Sequence, residues 1–374
     1  MAGDRRLRWL SWLARPPWPS WQALSRRRPA LLACAVVCAV LAVGWLVVAL
    51  SPAQPVSAPA PPASTAESTT SRPAPTPTTA APTTTVPPPA PLLSPFTGLP
   101  AAAAPVLAVK IDNVRAARPP LGLTAADLVY VEPVEAGLSR LLAVFSSHLP
   151  AAVGPVRSAR ESDLELLGQF GRPALAYSGA APELLPTLAA ARVVNVSPRQ
   201  APQAYYRDRA RRPPHNAYAR PAQLLAAAPD ATLSADIGLR FGPAAPGGTP
   251  SAHEVAGYPA AQVSFDWSPA DGRWLVGFDG APLLAAEGGR LGAATVVLQS
   301  VVVRPSGISD VLGNVSPYAQ TVGAGAALVL RDGMRFPARW SRPTPDSGTA
   351  FTLPDGGPCP FANGPVWIVL VPAG

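Results

Sequence analysis

LVYVEPVEAGLSRLLAVFSS, residues Leu128–Ser147, decides the fold class of this chain. Two runs rich in β-branched and aromatic residues, LVYVEPV and SRLLAVFSS, flank a short Glu-Ala-Gly break, and each reads as a strand. Outward from them, VLAVKI (Val106–Ile111) and PALAYSG (Pro173–Gly179) read as further strands. Between the two lies ESDLELLGQF (Glu161–Phe170), with acids in its first turn and Leu164, Leu167 and Phe170 at helical spacing. Helices are also expected near Pro182–Ala191 and Arg220–Ala228. Strands and helices in this order indicate a mixed α/β unit rather than a bundle or a sandwich.

The pattern changes after PAAPGGTP (Pro243–Pro250). Short runs such as VSFDW, WLVGF, APLLAA, TVVLQSVVV, AALVL, FPARW and VWIVLV follow, and Asp271-Gly272, Asp279-Gly280 and Asp332-Gly333 are hairpin signals. Trp267, Trp274, Trp340 and Trp367 fall in these runs, and the large apolar area of an indole suits them to core packing. The expected fold is therefore α+β: a mixed α/β subdomain over 92–245, packed with a mainly β subdomain over 246–374.

Upstream the chain has a different character. Residues 51–91 are nearly pure Pro, Ala, Thr and Ser, too poor in apolar side chains to build a core, so an extended, disordered linker is expected. Ala30–Leu50 is an uncharged, proline-free apolar run of about 31 Å as a helix, enough to cross a bilayer of about 30 Å. Seven arginines against Asp4 precede it over 1–28, and the first positive charge beyond it is Arg72. That asymmetry predicts a basic cytoplasmic tail (1–29), one transmembrane helix (30–50) and a C-terminal part outside the cell membrane. Two alternatives are a cleaved signal peptide, whose apolar region is shorter, and lipidation of Cys34, which has little apolar sequence before it.

The net charge of +8 comes mainly from that tail, since residues 92–374 carry 22 basic and 20 acidic side chains. A nucleic-acid partner, which calls for a basic folded face, is not expected. Cys34, Cys38 and Cys359 offer no metal-ligand or redox spacing, and His148, His215 and His253 are far apart, so neither metal nor cofactor is expected.

Several segments share an order and spacing: SPFTGLP (94–100), AVKIDN (108–113), ARPPLGLTAADLVYVEPVEAGLSRLLAVF (117–145), VGPVRSAR (153–160), YSGA (177–180) and YYRDRARRPPHNAYA (205–219). Together they resemble the YerB-like lipoprotein family, an extracytoplasmic group of unknown function, over essentially all of 94–374. The resemblance implies an outer-face location and a two-part architecture, and it brings no enzymatic activity. Members of that family often carry a lipid-modified cysteine, where this chain looks helix-anchored.

Candidate site residues cluster in the same segments. Glu132 and Glu135 flank Pro133 and would serve as an acid and base if a bend joined them; ion pairs with Arg140, Arg157 or Arg160 are the alternative. Arg157, Ser158 and Arg160 precede a helix and suit a phosphate or carboxylate, with Ser158 or Ser162 as its cap. Four arginines, Arg207, Arg209, Arg211 and Arg212, lead into Pro213, Pro214, His215 and Asn216. Asp112 and Asn113 close the first strand. The expectation is a membrane-anchored protein that binds an anionic envelope component such as a wall polymer or peptidoglycan. A glycan hydrolase or transferase using Glu132, Glu135 and His215 is one alternative, and a surface interaction scaffold is another.

Overall fold

The computed structural model of the chain describes residues 91–310 and 312–373. The basic tail, the apolar run 30–50 and nearly all of the Pro/Thr-rich segment lie outside the described residues. Among the described residues no helix is long and apolar enough to cross a membrane.

The first half supplies β1 (Leu107–Asp112), β2 (Leu128–Pro133), β3 (Ser139–Phe145), β4 (Ala174–Ala176), β5 (Val194–Asn195), β6 (Tyr205–Arg207) and β7 (Ala217–Ala219). Its helices are short: α1 (Glu161–Leu167), α2 (Leu185–Ala190) and α3 (Pro221–Ala226). The second half adds β8 (Thr249–Pro250), β9 (His253–Tyr258), β10 (Ala261–Ser268), β11 (Arg273–Phe278), β12 (Ala281–Pro282) and β13 (Gly292–Ala293). It ends with β14 (Thr295–Val301), β15 (Val303–Ser309), β16 (Val315–Ala319), β17 (Gly323–Arg331), β18 (Met334–Arg342), β19 (Ala350–Thr352) and β20 (Val366–Pro372). The architecture is mixed α and β with strands dominant.

One eleven-stranded sheet runs through both halves in the order β19-β18-β17-β14-β20-β2-β3-β1-β4-β5, with β8 beside β18. At its centre the last strand, β20, lies parallel to both β14 and β2. Alternation along β1 sends Leu107, Val109 and Ile111 to one face, where they meet Val263, Phe265, Trp274, Val276 and Phe278 of the second sheet, β12-β11-β10-β9. Ala108 on the other face joins Leu128, Tyr130, Leu142 and Val144 under Leu166 and Leu167 of α1. Lys110 is on this second face too, in the middle of a strand whose six residues are all buried.

The three Asp-Gly pairs sit in hairpin turns. Asp279-Gly280 and Asp332-Gly333 have positive φ at both residues, the conformation that turns antiparallel strands without splaying them. The run APLLAA keeps strand geometry only at Ala281–Pro282. Trp274, Trp340 and Trp367 are buried core side chains, and Trp267 is half-buried against Trp274 with ring centroids 5.6 Å apart. Cys359 is buried as well, which pushes its thiol up to about 11 and leaves it a small apolar filler.

Candidate functional site

The register β1–β3–β2 sets Asp112, Arg140 and Glu132 opposite one another in a row. Directly opposed residues point to the same face of a sheet, so all three emerge with Lys110 on the α1 side. The segment 153–160 then crosses the end of β1. Arg157 N–H donates to the Lys110 carbonyl at 2.8 Å, and Ala159 N–H to that of Gly179 at 2.9 Å. This brings Arg157, Ser158 and Arg160 over the row of side chains.

Glu135 sits in a single helical turn just beyond β2, with Ala136 at φ 56° and Gly137 at φ 69°. Glu135 thus stands in the turn and not on the strand, and its carboxylate meets Arg160. The Arg160 fork grips it with Nε 2.5 Å from Oε1 and Nη2 2.7 Å from Oε2, and the Ser316 hydroxyl donates to the same carboxylate. Burial works against its ionisation, but the Arg160 hydrogen bonds and charge, helped by Ser316, outweigh it and hold the carboxyl below its usual range. A residue held as carboxylate in this way is a positioning group rather than a proton donor.

Glu135, Arg140, Arg157, Ser158 and Arg160 line one cavity of about 450 Å³, closed on the other side by the hairpin β15–β16. Arg140 donates to the Ser158 carbonyl at 3.3 Å. Burial, then the neighbouring Arg160 charge, draws its guanidinium down to about 10, so it remains a cation at neutral pH. Beneath the cavity, Asp112 accepts contact from His215 Nδ1 at 2.7 Å and has Arg157 Nε 3.1 Å away, the latter without hydrogen-bonding geometry. The rim is acidic: Glu161, Glu183 and Asp310 all line it.

The remaining expected residues lie elsewhere. Asn113 borders a second cavity with Arg118 and Asp279. Asn216 is buried and accepts from Arg207 Nη1 at 2.8 Å, while Arg211 donates to the carbonyls of Ala117 and Pro119. Arg207 and Arg211 of the basic loop are therefore tied down structurally. Arg212 is exposed and, like the half-buried His215, is not among the cavity-lining residues. Neither Ser158 nor Ser162 caps α1. Asp163 does so by accepting the Arg160 N–H at 2.6 Å, and the Ser162 hydroxyl instead accepts from Ala319 N–H. The start of α1 is thus closed by a residue of its own first turn, Asp163, and not by either serine.

Glu132 is set apart from Glu135. It is 1% exposed, does not line the cavity, and contacts the Lys110 ammonium deep under α1. Lys110 also meets Asp163 Oδ1 at 2.6 Å. The sequence carried one signal for this cluster, a single lysine inside the otherwise apolar run Val106–Ile111.

Two family models match the chain: "Protein of unknown function (DUF3048) N-terminal domain" over residues 96–234, and its C-terminal domain over 254–368. The chain belongs to this family. The matched ranges take in the cavity and the buried cluster alike. A curated relative, the Bacillus subtilis (strain 168) protein YerB, named as a lipoprotein, is 46% identical over 63 residues. That stretch is 17% of this chain and 19% of the relative, so it spans about a fifth of the relative's length. The crystal structure of YerB from Bacillus subtilis shares the fold, with a TM-score of 0.64 at 23% identity over 75% of this chain and 96% of that one.

Proposed function

We propose that this protein is an envelope component held at the cell membrane by its apolar run 30–50, with the folded part outside, and that the arginine cavity binds an anionic envelope ligand. The observation that carries the reading is Arg140. Arg160 has Glu135 and Arg157 shares Asp112, whereas among the described residues Arg140 donates only to a backbone carbonyl, at 3.3 Å. A guanidinium with donors to spare, facing a cavity of this size, suits a phosphate or carboxylate, which it can meet with two parallel hydrogen bonds. The acidic rim argues against a bare polyanion. It favours a ligand carrying an ammonium a few ångströms from its anion, as in aminoacylated phosphate polymers or cross-bridge peptides. Membership of a family that includes a named lipoprotein supports the location.

The test pairs Arg140→Met with Arg157→Met in the full chain and titrates it with a purified aminoacylated phosphodiester wall polymer by calorimetry. Losing hydrogen bonds to a charged ligand should weaken binding about tenfold or more, and added salt should weaken wild-type binding further. Unchanged affinity in the double variant rejects the reading.

A further inference from the structure

Lys110 is the only lysine in the 374 residues, and it is spent in the core rather than at the surface. Its side chain is 0% exposed and its ammonium has two carboxylate partners, Glu132 at 1% and Asp163 at 0%. One ammonium against two carboxylates leaves this cluster unbalanced. Glu132 Oε1 is buried with no hydrogen-bond partner among the described residues. Burying three charges with an orphaned oxygen is costly, and a buried ion pair seldom repays its desolvation. The cavity described above does not use any of the three groups.

We propose that Lys110 and Asp163 are joined by an intramolecular isopeptide bond, formed within the folded chain with Glu132 as the proton carrier. The atoms are in place. Lys110 Nζ lies 2.6 Å from Asp163 Oδ1, and Asp163 Oδ2 accepts the Arg160 backbone N–H at 2.6 Å. Glu132 touches the same Nζ. Glu132 takes a proton from the ammonium and passes it to Asp163, and the neutral amine attacks Cγ of the resulting carboxylic acid to form the N–C bond. Charge developing on Oδ2 is met by the Arg160 N–H, as in any preorganised oxyanion site. The C–Oδ1 bond breaks and the oxygen leaves as water with two of the lysine's hydrogens, one of them relayed by Glu132. No oxidant or other reagent is consumed. An ammonium and a carboxylate become one neutral amide. Burial, opposed by the Lys110 charge, pushes the Glu132 carboxyl up, which suits it to hold a proton in this setting.

Mass spectrometry of the purified full-length chain decides the matter. The digest should yield one linked species carrying both Lys110 and Asp163, lighter than the two free peptides by one water, about 18 Da. Denatured wild type treated with an amine-reactive label should take up no more label than a Lys110→Met variant, because the chain has no other lysine. Glu132→Gln should fold, judged by circular dichroism, and yet regain the free lysine and the lost mass. Wild type with a free, labelled Lys110 and no linked peptide overturns the proposal. A Glu132→Gln chain that is still fully linked overturns the role given to Glu132.

Discussion

At the scale of single residues, the contrast between Glu132 and Glu135 governs what the site can do. Three positions apart in sequence, they end in opposite environments because a turn at Ala136 and Gly137 carries one out to Arg160 while the strand keeps the other inside. Glu135 has a folded pKa below its ordinary value of 4.5. Its contribution to stability is therefore complete above that value and is lost as pH falls through the lower folded one. Replacing it by Gln should cost stability at neutral pH, and the difference from wild type should shrink on acidification below about pH 4, read from urea midpoints at several pH values. A gap that stays constant with pH would mean the Arg160 pairing contributes nothing. The pairing itself was legible: an ion pair of Glu132 or Glu135 with Arg140, Arg157 or Arg160 is one of the two readings the sequence offers, and Glu135 with Arg160 is the pair that forms. The Lys110–Glu132–Asp163 cluster was not, because it depends on the β1–β3–β2 register and on where α1 lands, and neither is written in local sequence.

Elements were legible where their chemistry is local. The strands around the Glu-Ala-Gly break, the helix beginning at Glu161 and the Asp-Gly hairpins all follow from propensity and turn chemistry over a few residues. The hairpin β17–β18 gives the sharpest test. Its turn holds Gly333 at φ 69°, and a Cβ there would come 2.7 Å from Trp267 Nε1. Gly333→Ala thus meets both backbone strain and an indole packed on the second sheet. A loss of about 1–3 kcal/mol is expected, seen as a lower denaturation midpoint with unchanged slope. Gly247, just before β8, has φ 87° but open space within 4 Å of where a methyl would sit, so Gly247→Ala should cost less. Equal effects at the two positions would remove the indole from the explanation.

The whole molecule turns on a pairing that no local pattern reveals. Composition changes at Pro243–Pro250, yet the large sheet continues across that point, because its last strand in sequence is central in space. Val366 pairs in parallel with both Leu128 and Thr295, and Trp367, Ile368, Val369 and Leu370 are all buried, facing alternate cores. Parallel neighbours need long crossovers, so sequence proximity gives no hint of them. Ending the chain after Gly364 would bare the edges of β14 and β2 and withdraw those four side chains. At about 1.5–3 kcal/mol for each fully buried large apolar side chain, the loss is about 6–12 kcal/mol, comparable with the entire stability of a typical domain. The shortened chain should fail to give a cooperative unfolding transition and should aggregate through its open strand edges, as followed by circular dichroism and light scattering. The arginine cavity should vanish with it, since Glu135 follows β2 and Arg140 stands on β3, and the order of both strands depends on β20. If the truncated protein instead stays monomeric, melts cooperatively and keeps ligand affinity, the first half folds by its own contacts and β20 merely completes it.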